Sequence, residues 1–216
     1  MLNVSIAVLL SMQPQYCELI ASGKKTVEVR KTRPKLETPF KVYIYCCKPK
    51  QILRYVWGKE DYRGIFPDEE LDDKKVFCKI PNGSNPFCST RYAGKVIGEF
   101  VCDDVAKIIK DGSCFIAEGR SEAETNRMAR LSCLDFDDMN KYLGEKCGYA
   151  WHISNLVIYD QPKELSAFHN FCEKYPSCND SCEYYAWTVE GGSECMCDTK
   201  KPFIRPSQSW RYAEEV

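Results

Sequence analysis

Two periodicities divide the chain into short segments. Residues 4–10 form an almost unbroken apolar run that suits a buried strand. Pro14 can open a helix, Tyr16, Leu19 and Ile20 give it an apolar stripe, and Gly23 closes it. Thr26 to Arg30 then alternates polar with apolar, the period of a half-buried strand. Pro34 and Pro39 bracket a loop. From Lys41 to Cys47, Val42, Ile44 and Cys46 oppose Tyr43, Tyr45 and Cys47. Gly94 to Val105 predicts a strand with Val96, Gly98, Phe100 and Cys102 on one face and Ile97, Glu99 and Val101 on the other. Ser121 and Glu124 fit a capping box that opens a helix to about Arg130. A second short helix is expected from Asp135 to Leu143, stopping at Gly144. Tyr149 to Tyr159 predicts a strand, Leu165 to Phe171 one or two helical turns, and Ser209 to Glu214 a returning strand. Residues 57–75 form an acidic insertion, and Pro81-Asn82-Gly83 and Asn85-Pro86 mark turns. Short strands outnumber the helices, which sit singly between them. That pattern predicts an α+β fold with a curled, mostly antiparallel sheet or small barrel and short peripheral helices.

Composition narrows the function classes. The chain has 216 residues, which suits one domain with decorations, and a net charge of −1 that excludes a globally basic nucleic-acid coat. It contains no Walker-type loop, no dinucleotide fingerprint and no H-E-x-x-H. The apolar run at residues 4–10 has no preceding Lys or Arg and is far shorter than a membrane span, so it reads as a first strand and not as a signal or anchor. The expectation is a cytoplasmic protein with reduced thiols and no membrane partner.

Net charge hides a local excess. Between residues 24 and 35 stand Lys24, Lys25, Arg30, Lys31, Arg33 and Lys35 with one acid, Glu28, for a local charge of +5. Strand alternation turns Val27 and Val29 to the core and places Thr26, Glu28 and Arg30 together on the other face, roughly 7 Å apart, with Lys25 at the strand mouth. One reading is a solvated, salt-bridged strand edge. The other is an anion-seeking site for phosphate or nucleotide, with Glu28 as hydrogen-bond acceptor or proton shuttle.

Gly23, Lys25, Glu28 and Arg30 form G-x-K-x-x-E-x-R. This segment resembles the signature of the ASCH domain family, in the PUA-like β-barrel superfamily. The flanking Gln13-Pro14-Gln15-Tyr16, Gly94-Lys95-Val96-Ile97-Gly98-Glu99-Phe100 and Gly148-Tyr149-Ala150-Trp151-His152-Ile153 also look right for it. The resemblance covers about residues 4–168, which sets an expected division into a 1–168 domain and a Cys-rich extension, 169–216, packed on it. Arg205-Pro206-Ser207-Gln208-Ser209-Trp210 is similar to the tail of longer bacterial and phage members. The resemblance implies binding of RNA, a modified nucleoside or a nucleotide in a cleft lined by Lys25, Glu28 and Arg30. A stacking partner is expected as well; Tyr149 and Trp151 share one strand face and are the candidates, with ordinary core packing as the competing reading. It also implies alternatives. One is a hydrolase, an acylated-nucleoside amidohydrolase or a ribonuclease, working through Lys25 and Glu28. There the family's catalytic threonine falls where this chain has Glu28, Thr26 lies on the same strand face, and Glu122 or Glu124 could supply the acid. Another is a phage protein that sequesters a signalling nucleotide.

Fourteen cysteines are many for this length, and five of them crowd into 26 residues: Cys172, Cys178, Cys182, Cys195 and Cys197. Four thiolates satisfy a tetrahedral structural zinc. The spacing nominates Cys172, Cys178, Cys182 and Cys197 for Zn2+, with Cys195 as substitute and His169 as an alternative ligand; free thiols and disulfides are the competing readings. The other nine cysteines fall in segments expected to be strand and core. His152, beside Trp151, reads as structural.

Overall fold

The computed structural model describes residues 6–48, 91–112, 114–170 and 202–215, with the backbone of two short strands at 185–187 and 193–195. The acidic insertion at 57–75 lies outside these residues. In chain order the elements are β1 (Ala7–Met12), α1 (Pro14–Ala21), β2 (Val27–Arg30), β3 (Phe40–Cys46), β4 (Lys95–Cys102), β5 (Val105–Asp111) and β6 (Cys114–Ala117). They continue with α2 (Glu122–Ser132), α3 (Phe136–Leu143), β7 (Gly148–His152), β8 (Ser154–Glu164), β9 (Phe168–His169), β10 (Tyr185–Trp187), β11 (Ser193–Cys195) and β12 (Trp210–Glu215).

Among the described residues the strands make a six-stranded sheet in the order β8-β4-β3-β1-β12-β9, a four-stranded sheet in the order β2-β7-β5-β6, and the β10–β11 hairpin. The large sheet is mixed, because β1 and β3 run parallel with α1 and β2 in the connection between them. Every pairing in the four-stranded sheet is antiparallel. The result is a half-barrel with a few short helices, an α+β fold.

The chain crosses between the two sheets at two corners. β4 gives way to β5 at Asp103-Asp104, and β7 gives way to β8 at Ile153. The corners are tied together: the His152 amide donates to the Asp104 carbonyl at 2.9 Å, and His152 Nδ1 lies 2.6 Å from Asp103 Oδ1. His152, expected to be structural from its place beside Trp151, is exposed at this corner. The single strand expected from Tyr149 to Tyr159 is therefore two strands in different sheets.

Packing explains the double-sided burial of the central strands. Val42, Ile44 and Cys46 of β3 join Val8, Leu10, Phe100 and Trp151 in one core. Tyr43 and Tyr45 on the opposite face join Leu9, Phe168, Phe203 and Ala213 in a second. Both faces of β3 thus match the alternation in the sequence. β4 does not: Ile97 shares the first core with Phe100 and Cys102, while Val96 belongs to the second. The cause is a register shift against β8 between Val96 and Gly98, where a bulge turns the alternation over by one residue. A third core lies under α2 and α3, where Val27, Val29, Ile108 and Ala150 meet Met139 and Leu143.

The helices carry their caps as expected. Ser121 and Glu124 form both bonds of the capping box, Asp135 caps α3, and Gly144 ends it. Residues 165–167 form a single 3-10 turn before β9 in place of a longer helix. The hairpin β5–β6 is an addition to the sequence expectation. Of the nine scattered cysteines, Cys17, Cys46 and Cys102 are buried, but Cys114 and Cys147 are exposed, so that group is not uniformly core. No helix among the described residues is long and apolar enough to cross a membrane.

Candidate functional site

The site begins with a tight turn after α1. Gly23 adopts φ +71°, a conformation that favours glycine, and its amide bonds back to the Ile20 carbonyl at 2.8 Å. The Lys25 amide then bonds the Leu19 carbonyl at 2.9 Å. The turn directs Lys25 inward, where only 2% of the residue stays exposed. Its ammonium donates to the Ser132 carbonyl at 2.5 Å and lies 3.2 Å from Glu28 Oε2. Ser132 is the last residue of α2, and Cys133 behind it is left-handed with φ 53°. Lys25 thus satisfies a carbonyl at the negative end of a helix, a favourable place for a cation. The Tyr16 ring covers the same ammonium at 5.4 Å from its centroid.

Strand β2 supplies the other two charges, two residues apart and so on one face. Arg30 Nε lies 2.8 Å from Glu28 Oε1. Arg30 Nη2 donates to the Ser11 carbonyl at 2.8 Å, and Nη1 reaches Ser209 Oγ at 3.5 Å. Glu28 is therefore held between two cations, one on each oxygen. All three residues are buried, Glu28 at 5% exposure and Arg30 at 8%. Removing ions from water costs several kcal/mol each, so a buried trio of two cations and one acid is unmatched by one positive charge.

That trio borders a cavity of about 510 Å³, lined by Ser11, Gln13, Tyr16, Lys25, Glu28, Val29, Arg30, Cys47, Leu134, Asp138, Lys141, Tyr142 and Gln208. The volume suits one small ligand. Three cations and two carboxylates leave the lining at +1. Burial, together with the negative charges of Asp138 and Glu28, pushes the Tyr16 hydroxyl above its ordinary range, so it stays a protonated donor. Burial likewise raises the Cys47 thiol, which keeps it neutral and a poor nucleophile.

Of the residues nominated from sequence, Lys25, Glu28 and Arg30 come together here. Thr26 does not line the cavity; its backbone is committed to Leu131 and Ile153 at 3.1 and 2.9 Å. Tyr149 and Trp151 do not line it either. The register pairs them with Arg30 and Glu28, but the Trp151 ring is wholly buried against Phe40 and Trp210, at centroid distances of 5.8 and 6.1 Å. The aromatic rings that do border the cavity are Tyr16 and Tyr142, from α1 and α3. Glu124 closes its own helix cap and, with His152 and Arg120, borders a separate cleft; Glu122 lines neither. Ser11, Gln13, Asp138, Lys141 and Gln208 are contributions that no local pattern announced. The nearest signal is that Gln13 and Gln208 stand in segments that resemble family sequence, Gln13 to Tyr16 and Arg205 to Trp210.

Cys172, Cys178, Cys182 and Cys197 lie outside the described residues, and Cys195 ends β11, paired with Tyr185. Among the described residues no cluster of three His, Cys, Asp or Glu side chains could hold a metal. His169 contacts the Asn170 carbonyl at 3.0 Å and lies 4.0 Å from Glu214.

No curated protein is similar in sequence to this chain. Among solved structures it is similar to ASCH from Zymomonas mobilis, at 16% identity over 74% of this chain and 73% of that one, with a TM-score of 0.43. Two variants of that protein give nearly the same result. A tyrosine-to-phenylalanine form shows 16% identity over 74% and 76% of the two chains, and a serine-to-alanine form 17% over 74% of each, both with TM-scores of 0.42. The ASCH domain family model matches residues 10–155, which include Lys25, Glu28, Arg30, Tyr16 and Tyr142 but stop short of Gln208. With the signature residues assembled around one cavity and the match spanning most of the chain, this protein belongs to the ASCH domain family.

Proposed function

We propose that this chain binds RNA, a modified nucleoside or a nucleotide in the cavity beside Lys25, Glu28 and Arg30. ASCH-type domains are linked in general to RNA or nucleotide binding. The observation that carries the reading for this chain is the buried trio with its surplus positive charge, open to a cavity that two tyrosines border. A phosphate or a polar base edge answers the charge, and a base against tyrosine adds about 1–3 kcal/mol of stacking.

Holding a ligand suits the geometry better than cleaving one. Both Glu28 oxygens already face cations, the Lys25 ammonium is bound to Ser132 and Glu28, and Thr26 does not line the cavity. A general base must lie within reach of the proton it takes, and the Glu28 carboxylate is turned to Lys25 on one oxygen and Arg30 on the other.

The test is titration with single-stranded RNA, single-stranded DNA and nucleoside monophosphates at two salt concentrations. Binding is expected, weaker at the higher salt where phosphates are contacted, and lost in Lys25→Ala. A folded parent that binds none of them contradicts the proposal. Incubation with acetylcytidine and with RNA completes the test: turnover above a Lys25→Ala/Glu28→Ala control replaces binding with hydrolysis.

A further inference from the structure

Of the six cations between residues 24 and 35, only Lys25 and Arg30 belong to the buried trio. Lys31, Arg33 and Lys35 follow on the loop from β2 to β3, and all three are exposed. The alternate residues tie the loop down. Thr32 Oγ1 accepts from Trp210 Nε1 at 3.0 Å, Pro34 is buried, and Leu36 packs against the first core. The Lys35 amide donates to the Tyr212 hydroxyl at 2.8 Å. Two aromatic residues of β12 thus anchor the loop and leave its outer side to cations.

That row is not neutralised. Lys41, Lys95, Lys107 and Lys163 each meet a glutamate. Among the described residues, Lys31, Arg33 and Lys35 meet no carboxylate. Arg33 donates to carbonyls of its own loop, Nε to Pro34 at 3.3 Å and Nη2 to Leu36 at 3.1 Å, which steadies the guanidinium without cancelling its charge. From residue 31 to residue 37 the three cations stand against one acid, Glu37, for a net +2. Like charges gathered on so short a segment raise the local potential, and a polyanion relieves it. The row also begins at the cavity: the Lys31 ammonium lies 5.0 Å from the centre of the Tyr142 ring, and Tyr142 borders the cavity.

We infer that the ligand is a single-stranded polynucleotide, with one nucleotide in the cavity and the neighbouring phosphates carried out over Lys31, Arg33 and Lys35. The inference rests on the nucleotide-type reading of the cavity and narrows it, because a free nucleoside or mononucleotide has no further phosphates to place on the loop. A cavity for one small ligand takes a base only when that base is unpaired and unstacked, which favours a single strand over a duplex.

The experiment titrates the parent, Lys25→Ala and the triple variant Lys31→Gln/Arg33→Gln/Lys35→Gln, after thermal melts establish that each is folded. The probes are nucleoside 5′-monophosphates, single-stranded RNA and DNA of about eight nucleotides, an RNA duplex of the same length and polyglutamate. The parent is expected to bind a single strand at least about tenfold more tightly than any monophosphate. Tighter binding in either the RNA or the DNA arm supports the inference and names the sugar. The triple variant is expected to lose that gain while binding monophosphates within about twofold of the parent. Its slope of log Kd against log salt is expected to flatten by about 2, from three phosphate contacts at about 0.7 each. Lys25→Ala, or Lys141→Ala should Lys25→Ala not fold, is expected to weaken strands and monophosphates alike. A parent that binds monophosphates as tightly as strands, a gain that survives in the triple variant, or duplex or polyglutamate bound as tightly as a single strand overturns the inference while leaving nucleotide binding in the cavity intact. Strand binding that the cavity variant leaves unchanged, or a folded parent that binds neither strands nor monophosphates, overturns both.

Discussion

Lys25 donates to the carbonyl of Ser132, 107 residues further along the chain, at 2.5 Å. The bond joins the turn after α1 to the end of α2, so one cation both borders the cavity and closes a helix. Glu28 then links that cation to Arg30, and Arg30 carries the connection to Ser11 and Ser209. The site and the packing of its walls are one network.

That network predicts an order of damage. Lys25→Met leaves the Glu28–Arg30 pair in place and is expected to cost about 3 kcal/mol, the low end for breaking a buried pair. Glu28→Gln strands two buried cations and is expected to cost about 5 kcal/mol. Urea unfolding measures both, compared at unchanged slope. Equal costs, or the reverse order, would show that Glu28 does not bridge the two.

A second polar cluster sets the alkaline limit. Tyr159 donates to Glu99 Oε2 at 2.5 Å, and burial with the Glu99 charge raises its hydroxyl well above the ordinary value near 10. A group held protonated by the fold contributes stability that is complete below its unfolded pKa and is lost as pH rises through the folded one. The melting temperature is therefore expected to fall from about pH 10 upward. In Tyr159→Phe, which has no proton to lose, that decline is expected to be shallower. Parallel curves for parent and variant between pH 9 and 12 would refute the assignment.

At Gly98 the limit is space. A Cβ there would lie 2.3 Å from the Val157 carbonyl oxygen, where β4 and β8 approach closely at the bulge. Gly98→Ala must move backbone and is expected to cost about 2–3 kcal/mol. Thermal unfolding decides it, and a neutral result would mean that the two strands separate easily.

The cysteine tail yields a separate expectation. Four thiolates at the spacing of Cys172, Cys178, Cys182 and Cys197 predict about one zinc per chain in protein purified without chelators. Elemental analysis reads it directly, with Cys178→Ser/Cys182→Ser expected to remove it. Metal-free parent protein, with its tail thiols either titrating as free or paired, would exclude zinc.

Local pattern carried the elements and half of the site. Lys25, Glu28 and Arg30 were legible because strand alternation and a glycine turn act within eight residues. Their burial was not, since it depends on α2 and α3 closing over them. Tyr16, Tyr142 and Gln208 were hidden for the same reason: they meet only when α1, α3 and the segment before β12 are folded together. Trp151 looked available because alternation identifies a face but not what packs on it, and Phe40 and Trp210 cover that ring. Ile97 changed sides because a one-residue bulge inverts every inference from period two.

The central claim is that the cavity beside Lys25 is where a nucleotide-type ligand sits. The most direct measurement is a crystal structure of the chain grown with a saturating nucleoside monophosphate. The account predicts ligand density in the cavity bordered by Tyr16 and Tyr142, with phosphate or base edge against Lys25 and Arg30. Ligand density elsewhere on the molecule, with this cavity holding only solvent, would contradict it.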